Sequence, residues 1–154
     1  CLEGINNVLV PENINVTRKS GPGTLLANGD RELLRQVFPN LINNAIQAMP
    51  EGGELNLITQ KSSVPNPKAE NSATARQYIS VTVTDNGVGM SADNLAKIFN
   101  PFFTTKDKGT GLGLAISHNI IKAHQGTIDA VSEEGRGTSF TVKIPSWDED
   151  FDEK

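Results

Sequence analysis

Asn40-Leu41-Ile42-Asn43-Asn44-Ala45 lies in a stretch whose apolar residues Leu33, Leu34, Val37, Leu41, Ala45 and Ala48 recur at helical spacing. Asp30 is a good cap for the start of this helix, and Pro50 stops it just after Met49. Pro39 removes one backbone donor from its middle and should kink it, but the apolar stripe stays in phase on both sides. Asn40 and Asn44 are four residues apart, so both project from one face, with Gln47 on its edge and the apolar stripe opposite. Such an amide face is either a solvated surface or a ligand site. An amide carbonyl is a neutral hard-oxygen ligand, suited to a Mg²⁺ ion already neutralised by phosphates.

Working outward, Ile14 to Arg18 alternates and reads as a strand, Gly21-Pro22-Gly23 as a turn, and Thr24 to Ala27 as a second short strand. After the helix, Leu55 to Thr59 and Ile79 to Thr84 alternate as half-buried strands do. The polar stretch between them, residues 61–77, reads as an enlarged hairpin loop. Ser91 caps a short helix to about Phe99, Leu112 to Ala123 makes a further helix ended by Gly126, and residues 127–131 and 139–144 form a closing hairpin. This order predicts an α+β fold: a two-layer sandwich with a mixed, mainly antiparallel sheet covered on one face by three helices. One domain is expected over residues 1–146, with an acidic tail over 147–154.

The bulk properties agree. In 154 residues, 36% hydrophobic and 21% charged is a globular balance, and 5% aromatic implies an aliphatic core. A net charge of -4 argues against a general nucleic-acid binder. The single cysteine, Cys1, excludes an internal disulfide and a cysteine-based zinc site. No apolar run approaches the ~20 residues of a membrane span, and no signal peptide is visible. The chain begins at Cys rather than Met, so it is expected to be a piece of a longer protein.

Three further stretches carry chemistry. Asp85-Asn86-Gly87-Val88-Gly89 follows the strand that ends at Thr84, and a carboxylate there, beside glycines, suits recognition of a hydrogen-bond donor. Gly109-Thr110-Gly111-Leu112-Gly113-Leu114 opens a helix, where free backbone amides form an anion site. Its Gly-x-Gly-x-Gly spacing after a loop is not the dinucleotide fingerprint, and no Gly-x-x-x-x-Gly-Lys-Ser/Thr phosphate loop occurs in the chain. Gly137-Thr138 begins the last strand.

In order and spacing these four stretches resemble histidine-kinase ATP-binding domains, whose Bergerat-type fold is shared with gyrase, Hsp90 and MutL-type ATPases. The resemblance spans about residues 14 to 145, and Asn44-Ala-Ile-Gln-Ala-Met with the Thr104-Thr105-Lys106 loop is most similar to kinases of the nitrogen-regulation type. It implies ATP and Mg²⁺ as cofactors, with Asn44 as metal ligand and Asn40 positioning phosphates or the metal's waters. Asp85 would accept from the adenine amino group, and the Thr138 hydroxyl would support Asp85 through the sheet. Residues 99–113 would form an ATP lid, anchored by phenylalanines including Phe103. Lys106, or less favourably Lys108, would reach the terminal phosphate. Gln47, Gly87, Gly89, Thr105, Gly109, Thr110, Gly111, Leu112, Gly113 and Leu114 complete the implied ATP-binding set.

Gyrase and Hsp90 relatives place a glutamate four residues before the metal-binding Asn, where this chain has Asn40. An amide is no base at neutral pH, so water activation is expected to be poor and the acceptor to be a nucleophile from elsewhere. In the resembled family that acceptor is a His followed by Glu or Asp on a separate helical domain. Here His118 precedes Asn119 and His124 precedes Gln125, so both read as structural. The expectation is a histidine-kinase catalytic domain with Asn40 and Lys106 as its catalytic residues. Its partners would be ATP/ADP, the phosphoacceptor and dimerisation domain of the same parent, and a response regulator. A cytoplasmic, monomeric domain without nucleic-acid or direct membrane contact is expected. A regulatory nucleotide-binding module and a serine kinase acting on a partner protein are the alternatives.

Overall fold

A computed structural model describes residues 8–64 and 76–147. Its sheet has five strands: β1 (Ile14–Ser20), β2 (Gly53–Val64), β3 (Arg76–Asp85), β4 (Thr127–Glu133) and β5 (Gly137–Pro145). The spatial order is β1-β2-β3-β5-β4. Only β1 and β2 pair in parallel, and the other three pairings are antiparallel. The helices are α1 (Arg31–Gln47), α2 (Ala92–Leu95) and α3 (Gly113–Ala123). The expected mixed, mainly antiparallel α+β architecture is therefore what forms.

The core follows from two periodicities. On α1, Leu34, Val37, Phe38, Leu41, Ile42 and Ala45 are buried, a stripe at helical spacing. On the sheet, Leu55 and Leu57 of β2, Ile79, Val81 and Val83 of β3, and Phe140, Val142 and Ile144 of β5 are buried at alternate positions. Cross-strand register aligns them: Leu57 pairs with Val83, Val83 with Phe140, and Val81 with Val142. The other face carries polar pairs, such as Thr84 Oγ1 with Ser139 Oγ at 2.8 Å. Helix α1 packs on β3 and α3, and α2 and α3 both pack on β4.

Asp30 caps α1 as the sequence predicts, its carboxylate accepting from the amides of Glu32 at 2.8 Å and Leu33 at 3.1 Å. The helix runs through Pro39 to Gln47 as one element. His124 ties the same end of α1 to α3. Its Nδ1–H donates to the Ile120 carbonyl at 2.7 Å, while Nε2 accepts from the Asp30 amide at 2.9 Å. His118 stacks near Phe99, with ring centroids 5.1 Å apart. Both histidines are thus used in packing.

Three local expectations differ from the structure. Thr24 to Ala27 forms no strand. Only Ala27 bridges Ser146, because the turn residues on either side leave room for one pairing. The short helix is α2 alone, Ala92–Leu95, and the chain to Phe99 continues as tight turns, with the Asn100 amide donating to Lys97 O at 2.9 Å. The polar stretch 61–77 is not all loop: Lys61 to Val64 pair with Ile79 to Arg76, extending the hairpin. Those arms carry mostly polar side chains, so the hydrophobic alternation ends before the backbone ladder does. The rest of that stretch, and most of the acidic tail, lies outside the described residues.

Asp30→Ala should lower unfolding free energy by about 1 kcal/mol through loss of the carboxylate oxygen that accepts from two amides, leaving the His124 contact to the residue 30 amide intact. Chemical denaturation of the variant beside the parent chain checks this.

Candidate functional site

At Asp85 the buried stripe of β3 turns polar. Asp85 pairs with Leu55 on one side and Thr138 on the other, and is only 4% exposed. One carboxylate oxygen, Oδ1, accepts from the Gly87 amide at 2.9 Å and the Thr138 amide at 3.3 Å. The other oxygen is left for whatever enters the cavity that Asp85 lines. Burial raises the Asp85 pKa, and the two amide hydrogen bonds pull it partly back.

The Thr138 hydroxyl does not support Asp85, contrary to the sequence expectation; the Thr138 backbone amide does. The hydroxyl meets Ser132 Oγ at 2.8 Å. Ser132 donates its own proton to the Gly137 carbonyl at 3.0 Å and accepts from the Met90 amide at 2.8 Å. Thr138 is therefore the donor to Ser132. This network fixes the loop after Asp85 against the β4–β5 hairpin. Gly87 is needed because a Cβ there would come within 2.3 Å of the Ala48 carbonyl at the end of α1.

A cavity of about 630 Å³ opens between Asp85, the polar face of α1 and the loop leading into α3. From α1 come Asn40, Asn44 and Gln47, and from the sheet side Asp85, Gly89 and Thr138. The loop and the start of α3 add Phe103, Thr105, Lys106, Gly109, Thr110, Gly111, Gly113 and Leu114. Gly87 and Leu112, expected in the same set, do not line it. Gly87 braces Asp85 from behind, and Leu112 is the N-cap of α3. Leu112 supplies no side-chain acceptor to that helix start, so its first amides keep their donors for an anion.

The loop from Phe99 to Gly113 is closed at its base by the Phe102 amide donating to Gly111 O at 2.9 Å. Phe102 and Gly111 both have φ of 67°, and a Cβ on Gly111 would lie 2.4 Å from the Phe102 backbone. Asn40 reaches across to α3, its Nδ2 donating to the buried Ser117 Oγ at 2.9 Å. Lys106 reaches across to α1, its ammonium donating to Asn44 Oδ1 at 3.1 Å and to Gln47 Oε1. Partial burial lowers the Lys106 pKa.

Sequence reading missed Asn43, Ala48, Val88, Met90, Ile98, Thr104 and Phe140, which also line the cavity. Ile98 and Phe140 belong to the core as well, so their apolar character gave no sign of a second role. Ser117 and Ser132 were missed too. A lone hydroxyl on the buried face of α3, among Ala115, Ile120 and Ile121, was the available signal for Ser117.

The profile of the histidine kinase-, DNA gyrase B- and HSP90-like ATPase family matches residues 29–148, most of the chain. The chain belongs to this family. Among curated relatives, sporulation kinase E of Bacillus subtilis is 42% identical over 112 residues, 73% of this chain and 14% of that protein. The Escherichia coli sensor histidine kinase ZraS is 42% identical over 116 residues, 75% of this chain and 22% of its own length. AtoS, an Escherichia coli signal transduction histidine-protein kinase, is 45% identical over 118 residues, 77% of this chain and 17% of its own length. The chain thus spans roughly a fifth of the relatives it matches. The nucleotide-free catalytic domain of histidine kinase ThkA superposes with a TM-score of 0.70 at 33% identity, covering 86% of this chain and 79% of that one. The Bergerat-type fold and ATP as the family's nucleotide follow from this membership.

The raised Asp85 pKa means that ionising this carboxylate costs more in the folded than in the unfolded chain. Asp85 therefore destabilises the fold progressively as pH rises from its unfolded-state pKa through its folded one, and ceases to do so only where the carboxyl is protonated in both states. Asp85→Asn should match or exceed the parent in melting temperature at neutral pH, with an advantage that shrinks on acidification. Melting curves across pH test this; a difference independent of pH would contradict the burial argument.

Proposed function

We propose that this chain is the catalytic domain of a sensor histidine kinase. It would bind Mg-ATP in the cavity and donate the γ-phosphate to a histidine on a separate dimerisation and phosphoacceptor domain of the same parent. The carrying observation is that one cavity joins a buried carboxylate, an amide-bearing helix face and an uncapped helix start. The sensor histidine kinases among the relatives support the same reading.

Each group has a role in this scheme. The free oxygen of Asp85 accepts from the adenine amino group, a donor that guanine lacks at the equivalent position. The amides at the start of α3, with Gly109 to Gly113, hold the phosphates. The residues also fit a metal: Asn44 presents a carbonyl oxygen to the cavity, and that oxygen already accepts from a cationic group, Lys106. Mg²⁺ bound there would supply charge neutralisation between the phosphates. Asn40 is held by Ser117 and offers no base to activate water, so the site positions the γ-phosphate without a water nucleophile of its own. Neither His118 nor His124 lines the cavity, so neither is the acceptor in this scheme.

Partners follow from the proposal: the phosphoacceptor domain, a response regulator, and ATP exchanged for ADP. Among the described residues no helix is long and apolar enough to cross a membrane. A cytoplasmic, monomeric domain without nucleic-acid or membrane contact is part of the proposal.

Incubating the full-length parent with γ-labelled Mg-ATP should give protein-bound label that is acid-labile and base-stable, as phosphohistidine is. Free phosphate alone would mean an ATPase, and tight binding without turnover a regulatory module. In this chain Asn44→Ala should weaken Mg-dependent ATP binding on the order of 10-fold or more without unfolding the domain. Asp85→Asn should weaken ATP and narrow its advantage over GTP, measured by calorimetry with both nucleotides; unchanged selectivity would refute the adenine role.

A further inference from the structure

We propose that Asn44 and Gln47 form a seat for one cation, and that the Lys106 ammonium fills this seat until a metal–nucleotide complex takes it. This rests on the Mg-ATP reading and deepens it by saying what the metal must displace.

Asn44 and Gln47 lie three apart on α1, so their side chains share one face. Both turn their amide oxygens to the same ammonium, Asn44 Oδ1 at 3.1 Å from Lys106 Nζ and Gln47 Oε1 in direct contact with it. Lys106 is placed for this by its own loop. Its amide donates to Thr104 Oγ1 at 3.1 Å, and its carbonyl accepts from the Gly109 amide at 3.2 Å. The side chain then spans the cavity from the loop to the helix, a separation of 62 residues in sequence from Asn44.

The ligands make the arrangement exchangeable. Both acceptors are neutral, so they hold the ammonium by ion–dipole attraction, weaker than a carboxylate pair would. A metal on Asn44 Oδ1 needs the oxygen that Lys106 now uses, and two cations at one amide pair repel each other. Metal entry and lysine departure are therefore one event. The displaced ammonium has the γ-phosphate as its destination when the nucleotide is a triphosphate. A diphosphate lacks that group. Lys106 thus opposes the metal complex of the diphosphate more than that of the triphosphate, which favours loss of product and entry of fresh substrate.

The test is the Mg²⁺ concentration giving half of the metal-dependent increase in nucleotide affinity, measured by calorimetry on this chain and on Lys106→Met. It is measured with ADP and with a non-hydrolysable ATP analogue. With ADP, Lys106→Met should lower that midpoint about fivefold or more, the scale of losing a charge-assisted contact. With the ATP analogue the midpoint should fall much less. A midpoint unchanged or raised with ADP overturns the proposal while leaving the Mg-ATP reading intact. An equal fall with both nucleotides also overturns it, since that would be a general effect of removing a positive charge. Affinity in the unsubstituted chain that is insensitive to Mg²⁺ would overturn the metal reading and the seat together.

Discussion

The register of β3 on β5 is the constraint from which the site follows. Side chains alternate across a strand, so a slip of one residue would send Val81, Val83 and Asp85 to the polar face together. The pairing of Val81 with Val142 and Val83 with Phe140 fixes the apolar members, and it thereby fixes Asp85 beside Thr138. The carboxylate is buried as a consequence of core packing, not by a local device. Its burial is tolerable because two backbone amides meet one oxygen where the stripe ends.

Helix α1 serves both sides of this arrangement. Its stripe from Leu34 to Ala45 packs over the sheet, and the amides of Asn40, Asn44 and Gln47 border the cavity. Amides suit that position because they carry no net charge of their own. They offer oxygen to a cation and N–H to a hydroxyl such as Ser117, without adding to the negative charge that phosphates bring. Glutamates on this face would hold a lysine or a metal more firmly but would repel a triphosphate.

The strands, α1, α3 and the one-sided helical layer were legible because each rests on a local period or a local breaker. Asp85 stood out as a carboxylate at the end of an alternating strand, and the amides as the polar face opposite an apolar stripe, which only the family resemblance turns into a ligand site. What stayed hidden depended on distant parts of the chain. Thr138 was assigned through its hydroxyl, yet its backbone amide is the group that meets Asp85, a distinction set by strand pairing and not by residue type. Phe140 and Ile98 serve core and cavity at once, and apolar residues look alike in both roles. The hairpin arms at Lys61 to Val64 and Arg76 to Gln77 escaped notice because they lack the buried alternation that marks a strand.

Those arms separate two ends of the molecule. β2 and β3 pair from Leu55 with Asp85 at one end to Val64 with Arg76 at the other. At about 3.3 Å per residue, that ladder sets the far end of the hairpin roughly 30 Å from the cavity that Asp85 lines. Pairing at the Val64–Arg76 end therefore has no part in holding Asp85, whose own cross-strand neighbours are Leu55 and Thr138.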